Sequence, residues 1–86
     1  MNKIIKNLLN KIEKEGYEAY VVGGYVRDLL LGISSYDIDI CTNATPKELM
    51  SIFPSASPKN LGGIDFKIKE YHIEITTYRE EIKYKN

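Results

Sequence analysis

Asp37-Ile38-Asp39 sets two carboxylates one residue apart inside a β-like run, Tyr36 to Thr42. Side chains on a strand alternate faces, so the two aspartates would share a face with Cα atoms roughly 6.5 Å apart. Ile38 and Ile40 would point the other way, into a core. Two carboxylates so placed can hold one or two divalent cations between them. Aspartate is depleted in strands, so a pair flanking an isoleucine needs a reason. A solvated strand face, or an acid capping a neighbouring loop, is the plain alternative. Just upstream, a short apolar run ends in Gly23-Gly24 where a helix-forming stretch begins. Glycines at a helix start let a phosphate approach backbone N–H groups and the positive end of the helix. Alone, the pair would read as a tight turn. Both devices lie between Val21 and Thr42, and together they imply metal-dependent chemistry on a nucleoside triphosphate.

Other residues could join them. Arg27 falls in the first turns after the glycines and could reach a triphosphate as a fork of donors. Its alternative is a surface ion pair with Asp28 or a downstream acid. Asp28 is also simply favourable near a helix N-terminus. Glu74 alternates with Ile73 and Ile75, so it faces away from them. Beside the aspartate strand it would complete a carboxylate cluster; otherwise it is an exposed residue paired with Lys or Arg across a hairpin. Arg79 would contact phosphate or pair with Asp28. His72, the only histidine, has no Cys or His partner at ligand spacing and reads as an ordinary strand residue. Cys41 reads as a small buried side chain. The seven tyrosines are scattered, which fits core edges better than a base-stacking platform.

Positioning these groups requires elements around them. Ile4, Ile5, Leu8, Leu9 and Ile12 recur at helical spacing and predict an amphipathic helix of about three turns, stopped by Gly16. Glu18 to Val22 reads as a strand and Tyr25 to Leu31 as a helix, stopped by Gly32. Thr45-Pro46-Lys47-Glu48 carries an N-cap, a proline at the first helical position and a glutamate three residues after the cap. The helix it starts runs to about Phe53 and ends before Pro54. Ser55 to Gly63 reads as loop. Ile64 to Lys69 and Tyr71 to Tyr78 read as two strands joined by a tight turn. The order α-β-α-β-α-β-β predicts an α+β domain with a mixed sheet flanked by helices.

Bulk properties narrow the function. Eighty-six residues make one small domain of modest stability. Twelve basic side chains balance twelve acidic ones, which argues against strong nucleic-acid binding by this segment alone. No apolar run approaches the ~20 residues that span a bilayer, so no membrane role is expected. Charges interrupt the N-terminal stretch throughout, which argues against a signal sequence. One cysteine precludes an internal disulfide, and a cytoplasmic location is expected.

In ordered motifs the chain resembles the N-terminal head of the class II tRNA nucleotidyltransferases. These are the CCA-adding enzymes and bacterial poly(A) polymerases, of the polymerase-β-like superfamily. YVVGGYVRDLLLG resembles the family's strand–Gly-Gly–helix motif. YDIDICTNATPKELMSIF resembles its metal-binding strand with a proline-started helix, and IEITTYREEIKY the strand that follows. The resemblance covers about Tyr20 to Tyr84. It implies the polymerase-β-like nucleotidyltransferase fold, with Asp37 and Asp39 binding catalytic Mg²⁺ (or Mn²⁺) and Glu74 as a third acid. It implies that Gly23, Gly24 and Arg27 hold the triphosphate. CTP and ATP would be the nucleotides, and the tRNA 3′ end the acceptor in a full-length protein. Family members run on past the TTYR-like strand into a ribose-selecting segment, a base-selecting neck, and body and tail domains that grip tRNA. Residues 1–86 are thus expected to be a partial head domain, truncated at the C-terminus.

Two readings follow. In the first, the chain is the catalytic-core portion of an enzyme that transfers NMP to the tRNA 3′-hydroxyl by a two-metal mechanism, inactive in isolation. In the second, it is a stand-alone, non-catalytic domain that binds metal-nucleotide or assembles with a partner. An uncovered sheet edge would allow self-association.

Overall fold

The protein is described here from a computed structural model, over residues 2–78. Helix α1 spans Lys3–Glu13, β1 Ala19–Val22, α2 Gly24–Leu30 and β2 Asp37–Thr42. Helix α3 spans Pro46–Ile52, β3 Ser57–Pro58, β4 Gly63–Ile68 and β5 Tyr71–Thr77. The strands form one mixed sheet in the order β1-β2-β5-β4-β3. β2 and β5 run parallel; the other neighbours are antiparallel. The α+β class and mixed sheet expected from the sequence are both present.

The sheet buries one face. Ile38, Ile40, Ile64, Ile73 and Ile75 are fully buried in one cluster with Ile5, Leu8 and Ile12 of α1 and Leu49 of α3. Each such isoleucine contributes about 1.5–3 kcal/mol of transfer free energy. Because strand side chains alternate, burying these isoleucines turns Asp37, Asp39, His72 and Glu74 to the opposite, open face.

Local signals place the elements. The Asn2 side chain accepts a hydrogen bond from the Ile4 N–H at 2.6 Å and caps α1. At α3 the Thr45 hydroxyl accepts from the Glu48 N–H at 3.1 Å, and the Glu48 carboxylate accepts from the Thr45 N–H at 2.8 Å. That reciprocal capping box pulls the Glu48 carboxyl below its usual range, chiefly through the Thr45 backbone N–H. Thr42 is fully buried. Its hydroxyl donates to the Glu18 carbonyl and accepts from the Ala44 N–H. No buried side-chain N or O among the described residues lacks a partner.

The sequence reading needs one correction. Within the expected loop Ser55 to Gly63, Ser57–Pro58 pair with β4 as a fifth strand. Proline is tolerated there because the strand lies at the sheet edge, where one side needs no N–H donor. Gly63 opens β4 opposite Thr76. A Cβ at Gly63 would lie 2.2 Å from the Ile75 carbonyl oxygen, so only glycine allows the two backbones to close there. No helix among the described residues is long and apolar enough to cross a membrane.

Candidate metal and nucleotide site

Asp37 and Asp39 emerge from β2 on the open face, with Ile38 and Ile40 buried beneath them. The parallel pairing sets His72 opposite Asp37 and Glu74 opposite Asp39. On the next strand, Asp65 lies opposite Glu74 and Lys67 opposite His72. Three carboxylates, Asp39, Glu74 and Asp65, thus form a row across β2, β5 and β4. A shallow hollow of about 350 Å³ is lined by Asp37, Asp39, His72 and Glu74. The register is held by the isoleucines, because a one-residue slip would turn every one of them to solvent.

The glycine pair meets this acid face. Gly23 follows β1, whose Val22 pairs with Asp39. Its φ of 77° and ψ of −152° suit glycine and strain other residues. A Cβ at Gly23 would lie 3.1 Å from Asp39 Oδ2, so the missing side chain brings the backbone against the acid. Gly24 begins α2, and a Cβ there would lie 3.1 Å from Arg27 Nη2. Arg27 folds back toward that turn, donating from Nε and Nη2 to Asp28 Oδ1 at 3.1 Å. Its side chain is 71% exposed.

A lysine and a histidine lie near the acids. Lys59 Nζ lies 3.9 Å from Glu74 Oε1 and donates to Thr76 Oγ1 at 3.0 Å. His72 Nδ1 is 3.6 Å from Asp37 Oδ1, and His72 Nε2 is 3.4 Å from Asp65 Oδ2. Cys41, on the same strand as the aspartates, is half-buried, and that burial pushes its thiol pKa up.

Of the residues singled out from sequence, Asp37, Asp39, Glu74 and Gly23 come together. Arg27 is paired with Asp28, the alternative that the sequence left open for it. Glu74 realises both of its readings, beside Asp39 and near Lys59. Arg79 lies outside the described residues. Sequence reasoning missed Asp65 and treated His72 as an ordinary strand residue. The available signal was the alternation of both with Phe66 and Ile73, but it becomes useful only once the pairing of β4 and β5 with β2 is known.

The donor set suits a divalent cation. Asp37 and Asp39 present oxygen ligands on an open face, the chemistry magnesium and manganese prefer, with room for substrate oxygens to complete the shell. The bare backbone at Gly23 leaves space beside Asp39 for a bulky anionic group.

Comparison with known proteins agrees with this geometry. Residues 19–86 match the poly(A) polymerase head domain. A CCA-adding enzyme of Staphylococcus haemolyticus (strain JCSC1435) is 46% identical over 81 residues, covering 92% of this chain and 20% of that protein. The Bacillus stearothermophilus CCA-adding enzyme in complex with CTP superimposes with a TM-score of 0.75 at 36% identity, covering 91% of this chain and 21% of that one. The Thermotoga maritima CCA-adding enzyme complexed with tRNA gives a TM-score of 0.71 at 28% identity, covering 90% and 22%. The chain therefore spans about a fifth of the length of the relatives it matches. With the acid strand, the glycine turn and the mixed sheet all in place, the chain belongs to the poly(A) polymerase head-domain family.

Proposed function

We propose that this chain is the nucleotide-binding and catalytic portion of an RNA nucleotidyltransferase that adds CMP and AMP to the tRNA 3′-hydroxyl. The observation that carries this reading is the juxtaposition of Asp37 and Asp39 with the Gly23 backbone on one open face. The similarity to CCA-adding enzymes, one in complex with CTP and one with tRNA, supports it. Asp37 and Asp39 hold Mg²⁺ or Mn²⁺, and Glu74 stands beside them as the third acid. When bound, such a cation lowers the pKa of an attacking hydroxyl and neutralises charge on departing pyrophosphate. The Gly23-Gly24 turn admits the triphosphate close to the backbone. Arg27 exchanges Asp28 for a phosphate, for which its fork of donors is well matched. No protein nucleophile is needed, because positioning and charge stabilisation supply most of the effect. In this reading residues 1–86 form one head-domain portion.

Calorimetric titration tests the site. Mg²⁺ is expected to bind weakly alone and more tightly with CTP, since substrate phosphates usually complete a magnesium shell. Asp37→Ala and Asp39→Ala should each abolish Mg²⁺-dependent CTP binding while the far-UV circular dichroism stays unchanged. Full CTP binding in either folded variant would remove the aspartates from the site.

A further inference from the structure

Lys59 is held where a lysine seldom sits. Its side chain is only 23% exposed, although lysines ordinarily keep the ammonium in water. It follows β3, and its N–H donates to the Gly63 carbonyl at 2.9 Å, while the Thr77 N–H donates to the Gly62 carbonyl at 3.2 Å. Those two bonds tie both ends of the 59–62 loop to the β4–β5 hairpin. Gly63 stands opposite Thr76 and puts no side chain in the way. The Lys59 ammonium can therefore cross β4, and it donates to Thr76 Oγ1 at 3.0 Å. Thr76 and Glu74 are two apart on β5 and share the open face. The same ammonium lies 3.9 Å from Glu74 Oε1, with two of its three donors left for that carboxylate or for water.

We propose that Lys59 is a positioning residue for Glu74: an inbuilt counter-cation that engages the third acid and lowers the affinity of the acid face for a dication. The inference deepens the function proposed above and rests on its reading of Asp37 and Asp39 as the metal ligands. Glu74 lies directly between Asp39 and Asp65 on neighbouring strands, and like charges so placed destabilise a sheet. Among the described residues, Lys59 is the one lysine or arginine within ion-pair range of that row. Thr76 tethers it, so the ammonium is in place before any metal arrives. A dication then meets two obstacles: repulsion from a fixed positive charge, and a carboxylate already engaged. Removing the charge removes both, so metal binding strengthens. A lysine that merely braces the loop would act with the opposite sign, because loosening the loop disturbs Glu74 and weakens binding. The affinity is thus held low until substrate phosphates supply further oxygen ligands.

Mn²⁺ is titrated into the 86-residue chain without nucleotide, and free Mn²⁺ is read from its electron paramagnetic resonance signal. Lys59→Met drops the charge and keeps much of the side chain's length. It should bind Mn²⁺ about two- to five-fold more tightly than wild type, the range for a partly exposed charge pair. Lys59→Arg should match wild type, and added salt should narrow the gap between Lys59→Met and wild type. Because the ammonium acts through Glu74, the gain from Lys59→Met should shrink in a Glu74→Gln background. The wild-type chain gives a reading that needs no variant: saturating Mg²⁺ should move the Lys59 Cε resonance. Unchanged or weaker Mn²⁺ binding in folded Lys59→Met, an equal gain in both backgrounds, or an unmoved Lys59 Cε resonance would each overturn the proposal. If Asp39→Ala abolishes Mn²⁺ binding while Lys59→Met leaves it unchanged, the role of Lys59 falls and the metal reading stands. Mn²⁺ binding that Asp39→Ala leaves unchanged would overturn both.

Discussion

Gly23 shows how much a missing side chain can contribute. Its backbone occupies a region open essentially to glycine, and its Cα faces Asp39 Oδ2. Alanine there meets two separate costs: backbone strain of about 1–3 kcal/mol and a methyl group in the space beside the acid. Gly23→Ala is therefore expected to lower the urea midpoint and, beyond that, to weaken Mg²⁺-dependent CTP binding when titrated under fully folded conditions. Normal binding in the folded variant would mean that phosphate does not pass that turn. The contrast with Asp65 and His72 is instructive. Asp37 and Asp39 could be found from sequence because both sit on one short strand with isoleucines between them. His72 and Asp65 acquire meaning only through cross-strand neighbours. An isolated histidine carries no site signal until the neighbouring strands set carboxylates beside it.

At the level of elements, local rules worked where the interaction itself is local. Period 3.6 found α1, and the Thr45–Glu48 box found the start of α3. The acid in that box also sets a pH response. Glu48 has a lowered pKa in the folded chain, chiefly because the Thr45 N–H donates to the carboxylate. A depressed folded pKa contributes stability that is present above the unfolded value, about 4.3, and is lost as pH falls through the folded one. In Glu48→Gln the contribution does not titrate. Urea midpoints measured from pH 6 downward should thus fall less steeply for Glu48→Gln than for wild type below about pH 4.3. Parallel acid limbs would show that the cap does not depend on charge. Thr45→Ala should cost about 1 kcal/mol at neutral pH. By contrast, β3 could not be read from sequence. Two residues, one of them proline, carry no strand propensity. They pair because β4 offers an open edge, a tertiary fact.

For the whole molecule, electroneutrality constrains activity. A chain of zero formal charge offers little counterion release to a polyanion. Holding a 3′-hydroxyl in line with a phosphate can be worth several powers of ten, and that requires a grip on the RNA. The 86-residue chain by itself is thus expected not to add C, C and A to tRNA lacking its 3′ end. Labelled CTP and ATP, with Asp37→Ala as blank, provide the assay. Ordered addition by the wild-type chain would place the specificity determinants inside these residues.

The parallel pairing of β2 with β5 also has a consequence during synthesis. The aspartate strand emerges first and can pair early with β1, but its other edge stays open until α3, β3, β4 and finally β5 have been made. At roughly 5–20 residues per second, that wait is on the order of seconds. The growing chain meanwhile carries a strand edge with apolar and acidic faces and no partner. The two aspartates, proposed above as the metal ligands, then have a second consequence: like charges along that edge disfavour the zipping together of two nascent copies through it.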